Sequence, residues 1–448
     1  MKKEFVRIGC GAGFSGDRLE PAVILAKEGN LDYLVLECLA ERTISLAQKR
    51  KKKDPNLGYD PLLERRIESL LPILVQKNIR LISNMGAANP LAGGKKILEI
   101  AQKLGIDITV AVVHGDDVFE LLSGDESTLE SGKPIKDYGN LLSANAYLGI
   151  DAILPALQTN ATIILTGRVA DPSLFLAPLV HEFGWDPQDS NLMGQGTVIG
   201  HLMECAGQIT GGYFADPVTK PVPDMDKLGH PIAEVGINGT AKITKVDGTG
   251  GIITRQTAKE QLLYEVLDPH GYFTPDVVAD FSKVSIIESG ENEISVSGGA
   301  GQKAPETLKV SVGYEAGFLG EGEISYAGAH AKERAMLAGE IIEKRIKSQF
   351  DEFRVDYIGM SSLHGLSLSQ SSNPYEVRLR VAGKTQDQNK ASLVGEEVEA
   401  LYTNGPAGGG GARKNTTELV GVVSILMDRK KIKPLLTIIN SKPGSDEN

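Results

Sequence analysis

The sequence predicts an α/β protein: a Rossmann-like, mostly parallel sheet in the N-terminal half, followed by a smaller α+β portion. Three observations carry this. Residues 5 to about 215 alternate short apolar runs with helical patterns. Five of those runs end in a polar or glycine-rich loop that leads towards a helix. Beyond the proline-rich stretch Asp216–Lys227 the alternation gives way to separate strands and helices. The expected division is therefore residues 1–222, an α/β domain carrying the active-site loops, and residues 223–448, an α+β domain that divides into two units of structure.

The elements follow in order. Phe5–Gly9 reads as a strand running into Gly11-Ala-Gly-Phe-Ser-Gly16, with a helix over Asp17–Glu28. Tyr33–Leu36 runs into Glu37 and Cys38. Lys49–Lys53 is a run of five cations that suits the solvated C-terminal end of a helix. Asp60-Pro61, Asn89-Pro90 and Asp171-Pro172 each place a capping side chain before a first-turn proline. The stripe Leu62, Leu63, Ile67, Leu70, Leu71, Leu74 and Val75 is helical, and Pro72 kinks it. Ile79–Ser83 runs into Asn84–Asn89, and the helix from Pro90 stops at Gly105. Thr109–Val113 runs into His114-Gly-Asp-Asp117, and the long polar segment Ser123–Lys136 suits a lid. Thr162–Leu165 runs into Thr166-Gly-Arg-Val-Ala-Asp171.

In the second half, Ala241–Val246 and Gly251–Thr254 read as strands about the turn Asp247-Gly248. Thr307–Tyr314 alternates as a strand and Ala329–Phe350 reads as a long helix. Tyr375–Val381 and Glu397–Tyr402 follow as strands, then a helix over Thr416–Met427 and a frayed tail, Ser441–Asn448.

Composition narrows the class. A chain of 448 residues exceeds one ordinary core. A net charge of -11 points away from nucleic acid and from a membrane surface. Cys10, Cys38 and Cys205 form no CxxC pair and no disulfide framework, which fits a reducing cytoplasm. There is no apolar run before Gly9 that would make a signal peptide, and no stretch of about 18 apolar residues that would span a bilayer.

Loops at the carboxyl ends of parallel strands open at one edge, where ligands of open α/β sheets bind. Gly11, Gly13 and Gly16 match GxGxxG between a strand and a helix, and Glu37 ends the next strand 21 positions on. That is the context of a dinucleotide fingerprint, and Ser15 and the turn amides suit any anion at a helix start. The pair Asp17-Arg18 beside the turn counts against a phosphate there. His114, Asp116 and Asp117 sit at a strand end, where a general base or a metal pair is useful, although Asp116 or Asp117 would serve equally as a cap. Arg168 can hold a carboxylate or phosphate in bidentate fashion. Asn84, Asn89 and Thr166 are candidate donors to a substrate oxygen. His201, Glu204 and Cys205 share one helix face; without a third ligand nearby this reads as a satisfied buried face rather than a metal site, and no metal is expected. The loop Asn404–Gly411 with Arg413 and Lys414 either cradles phosphate or acts as a hinge.

Several longer stretches go together: Gly11–Arg18, Ser83–Pro90, Leu165–Asp171, Gly200–Cys205 with Thr210–Pro217, and Gly320–Gly328. In these the chain resembles the AtuA-type acyclic terpene utilisation family, over residues 5 to about 350. The charged, asparagine-rich C-terminal motif of longer members is missing. The resemblance implies catabolism of branched acyclic terpenoids such as citronellol and geraniol, which proceeds through coenzyme A thioesters, and some relatives are joined to acyl-CoA carboxylase subunits.

The resulting expectation is a cytoplasmic, homo-oligomeric enzyme of acyl-CoA or related carboxylate catabolism, with a small-molecule substrate. A hydratase or lyase fits best. His114 or Asp116 is its base; Arg168 and the Gly11–Gly16 amides hold the anionic part; Asn84 and Asn89 donate to the carbonyl. Coenzyme A enters as part of the substrate, with NAD(P) or FAD second to it. The alternatives are a dinucleotide-dependent oxidoreductase using Glu37, and a non-catalytic subunit of an acyl-CoA carboxylase-type assembly.

Overall fold

The computed structural model describes residues 3–369 and 374–441. It is a mixed α/β structure of two compact units. The first comprises Met1–Asp137, Leu142–Gly313 and Val422–Asn448; the second comprises Tyr138–Leu141 and Tyr314–Gly421.

The first unit is built on a ten-stranded mixed sheet. Its centre is five parallel strands: β1 (Phe5–Ala12), β2 (Tyr33–Leu36), β3 (Arg80–Ser83), β4 (Thr109–His114) and β6 (Ile163–Thr166), β5 being Leu141–Ala146. Their spatial order is β1-β2-β3-β6-β4, with Leu34 opposite Leu81, Ile82 opposite Ile164 and Val112 opposite Leu165. That order differs from the 3-2-1-4-5-6 arrangement of dinucleotide-binding halves. Antiparallel strands flank the centre. β7 (Pro231–Gly236) pairs with β1, placing Ile232 opposite Gly9, and β8 (Ala241–Lys245) pairs with β7. Outside them come β11 (Ser285–Gly290) and β12 (Glu293–Ser297). The proline-rich Asp216–Lys227 stretch is therefore no boundary: the chain beyond it returns to the same sheet, and the units part at 313/314 and 421/422. A small separate sheet joins β9 (Tyr272–Phe273), β10 (Val278–Asp280) and β13 (Ala300–Gln302).

The central strands are apolar on both faces because both are covered. β2 and β6 are buried at every residue. On one face α1 (Glu20–Glu28), α3 (Leu63–Lys77) and α4 (Pro90–Leu104) pack Leu25, Ile67, Leu70 and Ile97 against Leu34, Leu81 and Leu165. α2 is Glu41–Lys53 and ends on the cationic run. The alternate side chains Val35, Ile82 and Ile164 are equally buried and turn towards α5 (Ile150–Leu157), α6 (Ser173–Phe183) and α7 (Ser190–Glu204). Asn78 and Gly105 close α3 and α4 in left-handed conformation, at φ 54° and 68°.

Several helix starts differ from expectation. α1 begins at Glu20, because the Asp17 carboxylate turns back to accept the Gly13 N–H at 2.6 Å. α3 begins at Leu63; the Asp60 side chain accepts from Leu62 N, one turn early. Asn89 does cap α4, accepting from Ala92 N. Asp171 caps nothing, since its side chain goes to Arg168. Gly251–Thr254 is not a strand; Thr254 instead forms a capping box with Thr257 at the start of α8 (Arg255–Leu263). The Ser123–Lys136 segment is braced rather than free, with Glu126 accepting from Ser123 N and Gly124 N, and Leu129 N donating to Ser424 O.

In the second unit, β15 (Glu352–Ile358), β16 (Glu376–Thr385), β14 (Thr307–Ala327) and β17 (Gly410–Asp428) lie side by side in that order. Two helices, α9 (Ala331–Ile346) and a second over Gln388–Asn404, bury Ile342, Val394 and Val398 against Ile324, Leu379 and Val381. Two expectations are corrected here. Glu397–Tyr402 lies inside the Gln388–Asn404 helix, where Val398 and Leu401 face the core, and Thr416–Met427 lies inside β17. The Asn404–Gly411 loop therefore connects helix to strand and has no helix N-terminus behind it. The last strand, β18 (Leu435–Asn440), pairs antiparallel with β4, and 442–448, expected to fray, lies outside the described residues.

Candidate active site

The loop after β6 is fixed from below. Asp116, just past β4, accepts the Arg168 N–H at 3.0 Å and the Asn145 side-chain amide at 2.8 Å. A Cβ at Gly167 would lie 2.3 Å from the Asp116 carboxylate, so only glycine lets the loop sit this close. The Arg168 side chain is 1% exposed. Its Nε donates to Val169 O at 2.9 Å, and its terminal nitrogens donate to Leu39 O, Val169 O and Asp171. Burial works against the guanidinium charge, but Asp171, Tyr147 and Glu37 together hold its pKa above the ordinary value. The Tyr147 ring lies 4.4 Å from the guanidinium carbon and 5.0 Å from Lys309 Nζ. Both the Tyr147 hydroxyl, at 2.6 Å, and Lys309, at 3.1 Å, donate to Glu41. Burial opposes ionisation of Glu41, yet these donors bring its pKa down to about 2.

A second centre lies at the C-terminal end of α7. Gly194 and Gly200 let this helix approach backbone closely: a Cβ at Gly194 would meet Ala300 O at 2.0 Å, and one at Gly200 would meet Pro172 O at 2.7 Å. The helix is thereby seated with His201 and Glu204 inward, His201 Nδ1 at 2.8 Å from Glu204 Oε1. His201 is 1% and Glu204 8% exposed. Burial lowers the His201 pKa to about 4 and pushes the Glu204 carboxyl well above its usual range, with Asp171 and Glu265 adding to the rise. The imidazole is therefore neutral at pH 7 while burial favours the acid form of Glu204, and Glu204 Oε2 has no hydrogen-bond partner.

Both centres border one cavity of about 1120 Å³, wholly within the first unit. Loops after β1 and β2 supply Gly13, Ser15, Asp17 and Glu37 to Glu41; Asp171 and Glu204–Cys205 form the next stretch of wall. The remainder comes from later in the chain: His230, Tyr264, Glu265, Tyr272 and Lys309. His230 is buried with Nδ1 unpartnered.

The structure brings together some of the residues singled out from sequence and leaves others apart. Gly13, Ser15 and Glu37 line the cavity. Arg168 stands behind the wall at Asp171, and the Thr166 hydroxyl donates to Gly167 O. Asn84 lies under Glu37, donating to its carboxylate at 2.9 Å and accepting from Cys38 N at 2.7 Å. Asn89 is occupied at the start of α4 and by Pro55 O and Leu57 O. Gly11 is inside β1 and packs on Ala22, and Gly16 faces the Phe14 ring. His114 is outside the lining and shares a hydrogen bond with Thr437 at 3.0 Å. The Gly13 amide that would meet a pyrophosphate is taken by Asp17, and Glu37 accepts from Leu39 N and Asn84 rather than facing a ribose freely. Burial, with Asp171 nearby, raises the Glu37 pKa well above the carboxylate range. Among the described residues no group of three or more His, Cys, Asp or Glu is arranged to hold a metal ion, no helix is long and apolar enough to cross a membrane, and the three cysteines are free.

The His201–Glu204 spacing was visible in sequence, but only as an i, i+3 pair. Tyr147, His230, Glu265 and Lys309 gave no local signal, because each reaches the cavity through a long-range contact.

Compared with known proteins, the chain is similar over residues 6–438 to the family model described as acyclic terpene utilisation family protein AtuA. No curated protein matches it.

Proposed function

The chain belongs to the acyclic terpene utilisation family AtuA, whose role is in acyclic terpene catabolism, and from that premise we propose that it is a hydratase or lyase acting on a branched acyclic substrate held in the cavity of the first unit. The observation that carries this reading is the Glu204 carboxyl. It is buried, pushed by that burial towards its acid form, hydrogen-bonded to a neutral imidazole, and borders the cavity with one oxygen unpartnered. A carboxylic acid kept neutral by its surroundings is a general acid.

In the hydration direction Glu204 gives its proton to one carbon of a substrate double bond, and the oxygen of water bonds to the other. Asp171, fixed by Arg168, receives the proton that this water releases. The reverse sequence eliminates water. Asp116 acts at one remove, by holding the backbone of Arg168. Arg168 orients Asp171, since its named donors are all engaged within the protein. The oxidoreductase alternative gains nothing from a turn whose amide is occupied by Asp17.

The test is Glu204→Gln, which keeps the shape and removes the proton. Hydration of geranyl and citronellyl thioesters, followed by incorporation of oxygen from labelled water, should fall by roughly 10²–10⁴-fold with the folded structure intact. Unchanged turnover would refute the assignment.

A further inference from the structure

We infer that the cavity selects its ligand by charge: it admits an uncharged or cationic branched chain and turns away anions, so that the reacting portion enters as an alcohol, alkene or ester and not as a free carboxylate or a phosphate. This rests on the reading above that the cavity is the substrate site.

Six carboxyl groups line it, Asp17, Glu37, Glu41, Asp171, Glu204 and Glu265; burial and their mutual proximity push Glu37, Asp171 and Glu204 towards their neutral forms, the mark of a space that bears further negative charge poorly. Among the described residues the wall contains one ammonium, Lys309, and that group already donates to Glu41. Arg168 is screened from the interior by Asp171 and by its own backbone partners. The amides an anion would need are likewise taken: Gly13 N by Asp17 and Leu39 N by Glu37. An incoming carboxylate would add negative charge to a space whose own carboxyls are already pushed towards their neutral forms by burial and by one another.

The opposite chemistry is provided for. Glu204, more than nine-tenths buried, borders the space with Oε2 unpartnered, able to donate to or accept from a hydroxyl and to accept from an ammonium. Phe14, Tyr213, Tyr264, Tyr272 and Phe273 supply aromatic surface to the same space. Such surface suits an apolar chain, and its ring faces attract positive charge, including the charge that develops on a carbon protonated by Glu204. Glu265 stands at the cavity on a left-handed backbone, φ 59°, a conformation that a non-glycine residue adopts only when its surroundings impose it.

The experiment measures binding by calorimetry at pH 7.5 for four ligands with one carbon skeleton: geraniol, geranylamine, geranate and geranyl diphosphate. Geraniol and geranylamine should bind at least tenfold more tightly than geranate, with the diphosphate weakest. Geranate or diphosphate binding as tightly as geraniol overturns the inference, as does a failure of all four to bind. Glu265→Gln should weaken geranylamine about tenfold and leave geraniol unchanged; equal effects on both would remove the role given to charge. The two readings fail separately. Tight geranate binding together with an inactive Glu204→Gln variant refutes charge selection alone. The expected binding order together with a fully active Glu204→Gln variant refutes the catalytic assignment alone.

Discussion

Asp116 holds two groups that lie in the interior, the Arg168 amide and the Asn145 side chain, on a single carboxylate oxygen. Burial raises its pKa from 3.8 to about 6 despite both donors. The carboxyl is thus protonated more readily in the folded than in the unfolded chain. Its contribution to stability is full below pH 3.8 and is lost as pH rises to about 6, an effect of up to about 3 kcal/mol. Asp116→Asn keeps an oxygen for both donors and removes the titration. Urea unfolding between pH 4 and 7 should then show a shallower fall in stability than the natural protein, and an unchanged slope would refute the assignment. At this scale the sequence was a partial guide. His114 and Asp116 both stood at a strand end, and nothing in their spacing could say that the imidazole turns to Thr437 while the carboxylate turns under Arg168. Glu204 was legible as a buried helix position; its rise in pKa was not, because that depends on the depth of its burial in the folded chain and then on Asp171 and Glu265, which lie far away in the chain.

Among the elements, α7 has the least tolerance. Gly200 faces the Pro172 backbone, and an added methyl would have only 2.7 Å to the nearest oxygen. Gly200→Ala should cost about 1–3 kcal/mol in urea unfolding and should lower turnover as well, since displacing α7 moves Glu204. Gly105→Ala makes the contrast: nothing lies within 4 Å and only the φ of 68° is strained, so it should lose about 1 kcal/mol and no activity. Elements with local causes were readable in sequence. Every central parallel strand was found, because a buried parallel strand is a short apolar run ending in a turn. β17 was misread as a helix over Thr416–Met427. Its Thr416, Thr417, Val420, Val422 and Val423 are β-branched and favour a strand, but its burial does not alternate cleanly, so no period of two marks it. Glu397–Tyr402 fails the other way, as a short stretch whose helix is decided by Val394, Val398 and Leu401 facing one core.

For the whole molecule, the chain leaves the first unit at Tyr314 and re-enters it after Gly421. A Cβ at Gly421 would touch the Tyr314 ring, so the two ends of the excursion are close. Replacing 315–420 by a short glycine-rich turn should leave a folded first unit that still binds geraniol, because all the lining residues belong to that unit. A variant with native-like circular dichroism that no longer binds geraniol would refute this. The architecture at this level was the least legible. A proline-rich stretch looked like a boundary, whereas the true division falls within the long strands β14 and β17, where composition does not change.

The position of β18 has a consequence for how the molecule is made. β4 completes its pairing only when residues 435–440 arrive, more than 300 residues after β4 itself has left the ribosome. At about 5–20 residues per second the row of unpaired amides and carbonyls along β4 stays open for tens of seconds on every nascent chain. An open, apolar edge of this kind invites pairing with a neighbouring polypeptide. Polysome crowding and the supply of chaperones, more than the stability of the finished protein, should therefore govern how much of it accumulates in a cell.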